Sequence, residues 1–128
     1  MIEGGCLCGA VRYRVTAAPH HVTHCHCLDC RGACGAPFVT WAECRSETVT
    51  IEGETRSYSS RDGVERRFCP RCGTQLTFQR LDQSSTIDLT VASFDDPEAV
   101  EPDDHLWHHR AIRWAEIDDR LPRYGSAR

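Results

Sequence analysis

The sequence contains neither lysine nor asparagine, and all fifteen of its basic residues are arginine. We read this as compositional bias and attach no mechanism to it. The chain also lacks any block of like charges, and its formal net charge is −4. Charge alone therefore marks no nucleic-acid-binding surface. No stretch approaches the roughly 20 apolar residues that a membrane span needs. The opening MIEGGCLCGAV has no basic segment followed by an apolar run, so no secretory signal is expected. The expectation is a cytoplasmic protein in a reducing compartment, with neither membrane nor nucleic acid as partner. No repeat, low-complexity tract or linker divides residues 1–128, so a single domain with a genuine core is expected.

What the chain has in excess is cysteine: nine in 128 residues. In a reducing compartment that number points to metal binding rather than to disulfides. The odd count leaves at least one unpaired. Cys6/Cys8 and Cys25/Cys27 would also make poor bridges, because alternate strand positions point their side chains in parallel.

The local pattern is β throughout. AVRYRV alternates Val11, Tyr13 and Val15 with Arg12 and Arg14, the period of a half-buried strand. PFVTWAE, TVTIEG, TRSYSS, VERRFC, QLTFQ and STIDLTVASF continue the series, with turn signals at Gly53 and Asp62-Gly63. Helix is expected only as a turn after Cys27 and a short piece at DDPEAV, capped by Asp96 with Pro97 in its first position. A mainly β, antiparallel fold follows.

The cysteines fall into three groups, Cys6-x-Cys8, Cys25-x-Cys27-x-x-Cys30 and Cys69-x-x-Cys72, with Cys34 and Cys44 outside. FCPRCGTQL has the form of a zinc knuckle, with Pro70 setting the turn and Gly73 letting amides approach the sulfurs. A knuckle supplies two of four tetrahedral ligands and needs a second pair. CLCG is the natural partner, since Gly9 repeats the glycine after the second sulfur. A metal on Cys6, Cys8, Cys69 and Cys72 would fix a long loop that weak contacts would close poorly. A Rieske iron–sulfur centre needs histidine ligands that CPRCG does not offer, so zinc is favoured.

HCHCLDC then supplies three thiolates with no fourth partner of similar quality. A closed structural site takes four protein ligands, whereas a working site keeps one position open. Cys25, Cys27 and Cys30 are thus candidates for a reactive zinc, suited to a thiolate attacking a carbonyl carbon or to the reverse. Cys34, four residues past Cys30, or a histidine could instead close the site. His24 and His26 flank Cys25 and point away from the sulfurs if the strand alternates; His26 is the candidate for proton transfer. Asp29 reads as a turn residue. Arg31 reads as solvated, or as a countercharge to the thiolates or a contact for a substrate carboxylate. His20 and His21 read as loop, His108 and His109 as surface, Phe38, Trp41, Phe78, Trp107 and Trp114 as mainly core, and Cys44 as an incidental thiol.

GGCLCGAVRY, HCHCLDCRGACGAPF, FCPRCGTQLTF, VASFDDPEAVEPDDHLW and RLPRY follow one another in an order and spacing that resemble the glutathione-dependent formaldehyde-activating (Gfa-like) family, which includes centromere protein V. The resemblance runs over nearly the whole chain. It implies a β-tent fold, similar to the Mss4-like and methionine-sulfoxide-reductase-B folds. It implies two zinc ions, a structural one on the cysteines matching Cys6, Cys8, Cys69 and Cys72, and one with an open position on those matching Cys25, Cys27 and Cys30. His105 matches a family position. The founding members are S-(hydroxymethyl)glutathione synthases, so the resemblance implies a carbon–sulfur lyase acting on a small thiol and an aldehyde. This chain carries Cys34 where relatives often carry serine, and no segment identifies a glutathione site. A thiol-binding or carrier module and a two-zinc interaction domain are the alternatives. Nothing in the sequence decides between a monomer and a homodimer.

Overall fold

The computed structural model describes residues Met1–Arg128. Ten strands and one α-helix follow in chain order: β1 Ile2–Gly5, β2 Arg12–Val15, β3 His21–Cys25, α1 Leu28–Cys34, β4 Val39–Arg45, β5 Val49–Glu52, β6 Arg56–Tyr58, β7 Val64–Phe68, β8 Gln75–Arg80, β9 Thr86–Thr90 and β10 Asp104–Leu106. They form a three-stranded sheet, β1-β2-β5, and a seven-stranded sheet, β10-β3-β4-β9-β8-β7-β6. The mainly β architecture expected from the alternating pattern is present. One ladder departs from the antiparallel rule: β10 runs parallel to β3, with His105 opposite His24 and Leu106 opposite Cys25. It returns to the sheet after a connection of nearly eighty residues, and parallel neighbours always need such a crossover.

Strand alternation places the core. In β2, Tyr13 and Val15 are buried while Arg12 and Arg14 face water. With Val11 they pack against Val22, Ala42, Cys44, Ile87 and Leu89 of the larger sheet. Cys44, an apparently incidental thiol in sequence, is a fully buried member of that core. Cys6 and Cys69 join the same cluster, so the first cysteine group is built into its edge.

The opposite face of the larger sheet carries Cys25, Val39 and Trp41, one residue out of phase with Val22 and Ala42. The single helix, α1, lies over this face and adds the buried Cys30. The turn expected after Cys27 is therefore a seven-residue helix, ended by Gly35. The second short piece is also present: Pro97–Ala99 is a 3₁₀ turn with the Asp96 carboxylate accepting from the Glu98 amide.

Two expectations for individual side chains are corrected. Trp107 and Trp114 are exposed rather than core, Trp114 at 78%, because both follow β10 in the segment that wraps the outside of the sheet. His21 is not in a loop but is buried in β3, with Nε2 3.1 Å from Oδ2 of Asp104.

Candidate metal centres

The first cysteine group forms from two turns, each closed by a glycine amide and one residue different in length. In one, the amide of Gly9 donates to the carbonyl of Cys6 and that of Cys6 to Val11, each at 3.0 Å. In the other, Gly73 donates to Cys69 at 2.9 Å and Cys69 to Thr74 at 3.0 Å. The turns face each other, and Sγ of Cys8 lies 3.6 Å from that of Cys6 and 3.8 Å from that of Cys69. A tetrahedral metal with sulfur arms of about 2.3 Å sets its ligands about 3.8 Å apart, so the sulfurs stand at ligand spacing. All four ligand atoms of Cys6, Cys8, Cys69 and Cys72 lie within 4.8 Å of one another. Donors surround them. The Val11 amide points at Sγ of Cys6 at 3.2 Å. The hydroxyl and amide of Thr74, with the Cys8 backbone, pull the Cys72 thiol down to about 5. Thiolate is the form that a metal needs.

The second group gathers Cys25 from the end of β3, Cys27 from the cap of α1 and Cys30 from its first turn. Their sulfurs also lie within 4.8 Å of one another. Cys27 is itself the N-cap of α1: its Sγ accepts from the Cys30 amide at 3.3 Å. Hydrogen bonds from the Cys25 and Cys30 thiols lower Cys27 to about 2, helped by that amide and by Arg66. Cys34 is half-buried against the cluster but is not one of the three. Soft sulfur donors at this spacing fit a thiophilic ion such as zinc at both groups.

The flanking histidines turn to the other side of the sheet, as strand alternation predicts. His24 Nδ1 pairs with Thr40 Oγ1 at 2.8 Å. His26, only 3% exposed, places Nε2 2.8 Å from Nδ1 of His105, whose own Nε2 is 2.8 Å from Oδ2 of Asp119. With Asp119 accepting a hydrogen bond from His105 Nε2–H, His105 Nδ1 accepts from His26 Nε2–H, and His26 Nδ1 has no partner in the chain. Burial, and then the neighbouring His105 and His108, push His26 down to about 4. His108, expected at the surface, is half-buried with its ring 5.2 Å from that of His26. His26, His105 and His108 present ligand atoms within 4.8 Å of one another, a further set that could hold a metal ion.

The charged residues near the thiolates also find their places. Asp29 is more than a turn residue, since its carboxylate takes a forked contact from Arg61, at 2.6 Å to Nε. Arg31 is not the countercharge. Its Nη1 donates to the Arg110 carbonyl at 3.0 Å, and its buried Nε has no partner. The arginine against the thiolates is Arg66, with Nη2 3.5 Å from Sγ of Cys30. No spacing rule singled it out, because VERRFC reads only as a strand. Trp41 and Phe78 wall the cluster, their ring centres 6.1 Å apart. Alongside α1 runs an open groove of about 410 Å³, lined among others by Leu28, Arg31, Pro37, Ile112 and Trp114.

This geometry has counterparts in known proteins. A sequence profile described as "Glutathione-dependent formaldehyde-activating enzyme" matches residues 1–110. The chain belongs to that family. A Halomonas elongata protein named as a glutathione-dependent formaldehyde-activating enzyme is 30% identical over 134 aligned positions, covering 94% of this chain and 83% of its own length. A Schizosaccharomyces pombe protein described as an uncharacterized lyase is 34% identical over 76 residues; the match spans 59% of this chain and 56% of that protein. The crystal structure of a Rhodobacter sphaeroides protein shares the fold, with a TM-score of 0.62 at 21% identity, covering 95% of this chain and 99% of that one. No helix of this chain is long and apolar enough to cross a membrane.

Proposed function

We propose that this Gfa-family protein holds two zinc ions and is a carbon–sulfur lyase that adds a small, glutathione-like thiol to an aldehyde such as formaldehyde, or reverses that addition. Cys6, Cys8, Cys69 and Cys72 would hold a structural ion. Cys25, Cys27 and Cys30 would hold the other with one position free. The observation that carries the reading is the number of sulfurs gathered at each place, four in one and three in the other, with Cys34 outside.

A zinc ion on the three cysteines, when bound, supplies an electron-rich site at which a thiol ligand sits as thiolate. The remaining chemistry belongs to the chain. In the addition the thiol's S–H bond breaks, a carbon–sulfur bond forms, and the carbonyl becomes a hydroxyl that regains the proton. His26, the candidate for proton transfer, has its tautomer fixed by His105 and Asp119 but stands on the other face of the sheet from the sulfurs, so the proton would pass between thiol and water rather than directly to its ring. The groove beside α1 would seat the body of the thiol, and the unpartnered Nε of Arg31 suits a carboxylate there.

The test is the rate at which purified protein accelerates hemithioacetal formation from small thiols and formaldehyde, followed by NMR. Acceleration by wild type and its loss in Cys27→Ala supports the reading. Thiol uptake with no acceleration would make the protein a carrier instead.

A further inference from the structure

Arg66 is an arginine with no acidic partner, buried in the wall of the second cysteine group. It comes from β7, opposite Phe78 of β8, and is 4% exposed. Its Nε donates to the Ser60 hydroxyl at 3.0 Å, and its two terminal nitrogens lie 3.6 and 3.5 Å from Sγ of Cys30. The guanidinium carbon sits 4.9 Å from the centre of the Phe78 ring. No aspartate or glutamate reaches it, whereas its neighbour Arg67 pairs with Glu65 at 2.8 Å.

A buried guanidinium without a carboxylate is costly unless some other negative charge stands beside it. Here the only candidate is sulfur. Three thiolates around a divalent ion leave one net negative charge, which would repel a fourth anionic ligand. One arginine cancels that charge. The four-cysteine group has no equivalent, its sulfurs being met by amides and by Thr74.

We propose that Arg66 is a positioning residue for the Cys25–Cys27–Cys30 centre, orienting the Cys30 sulfur and neutralising the cluster so that the free position accepts an anionic sulfur. This rests on the reading that a metal with a free position sits on those cysteines. The fork to Cys30 orients one ligand, and the Ser60 hydroxyl and the Phe78 ring fix the fork. The specificity that follows is for thiolates over neutral ligands of similar size.

The experiment uses the full chain loaded with cobalt(II), titrated with 2-mercaptoethanol and, separately, with imidazole as a neutral ligand. Thiolate binding is read from the sulfur-to-cobalt charge-transfer band, and metal retention from the rate of release to a chelator. Arg66→Met, which keeps the stem over Phe78, should weaken thiolate binding about tenfold, leave imidazole binding within about twofold, and speed release of the second metal. Arg66→Lys should restore most of the thiolate affinity. Equal thiolate affinity in wild type and Arg66→Met would overturn the assignment. If Arg66→Met does not fold, Ser60→Ala gives the same answer in milder form: releasing Nε should cost about threefold in thiolate affinity, and no change overturns the proposal. Wild type that takes up only one cobalt, or binds no thiol, would instead remove the underlying reading.

Discussion

Gly9 and Gly73, sixty-four residues apart in sequence, hold the same left-handed backbone, with φ of 79° and 78°. Each follows the second cysteine of its turn, and each donates its amide to the carbonyl of the first. The four-sulfur group is thus two turns set face to face, alike in the glycine that closes them and one residue different in length. A Cβ at either glycine would meet nothing within 4 Å, so the demand is on the dihedral angle alone. Gly73→Ala should keep its metal but lose about 1–2 kcal/mol from the left-handed backbone. Thermal unfolding should fall by about 4–8 °C, and Gly9→Ala should behave alike. An unchanged midpoint in both variants would show that the turns can relax.

The two cysteine groups differ in what they are tied to. Cys6 and Cys69 belong to the main core, whereas Cys25 and Cys30 belong to a small cluster on the sheet's other face. Cys72→Ser should therefore remove a metal whose binding contributes on the order of 10 kcal/mol to folding, as for structural zinc in peptides. The variant should be insoluble or strongly destabilised. Cys30→Ala should lose one metal and keep the fold. Elemental analysis with circular dichroism reads both; two variants equally folded would dissolve the distinction.

Asp88 gives the fold a pH dependence that does not involve the cysteine groups. It stands opposite Glu43 of β4 and Phe78 of β8 and makes no hydrogen bond with its side chain. Burial, with the Glu43 charge second, pushes its carboxyl up to about 7. A folded-state pKa above the unfolded value of about 3.9 means that the native state holds the proton more tightly. The contribution to stability is then fully present below about pH 4 and is lost as pH rises towards 7. Asp88→Asn should be more stable than wild type at pH 8, by about 2 kcal/mol, with the advantage shrinking steadily towards pH 4. Denaturant unfolding of both proteins across that range provides the check. A constant difference would place the effect in packing rather than ionisation.

How far the sequence revealed these features depended on the range of the interactions. The four-sulfur group was legible because each half is local: a CxC or CxxC with glycine after the second sulfur needs no knowledge of the fold. Strand alternation correctly turned His24 and His26 away from Cys25. The parallel return of β10 was not legible, since three residues of pairing across some eighty of chain leave no periodic trace. The same holds for the hydrogen bond between His26 and His105 and its continuation to Asp119. Arg66 was hidden for another reason. In VERRFC the buried Arg66 and its half-buried neighbour Arg67 look alike, and only the sheet register sets one against Cys30.

Cys34 decides whether the three-sulfur group works or merely holds. It lies one helical turn beyond Cys30 on α1, close enough to pack on the cluster yet outside the set of mutually close sulfurs. Burial, with the neighbouring Cys30 charge next, pushes its thiol up to about 11. Gly35 ends the helix immediately afterwards, which fixes Cys34 at the last turn and leaves little freedom to swing inward. Cys34→Ser should therefore leave metal content and thiol uptake within about twofold of wild type, while Cys30→Ala should abolish uptake. The informative comparison is cobalt-substituted protein titrated with a small thiol at pH 7.5. Thiol binding that is absent in wild type and appears only in Cys34→Ser would mean that four cysteines close the site, leaving no free position for a substrate thiol.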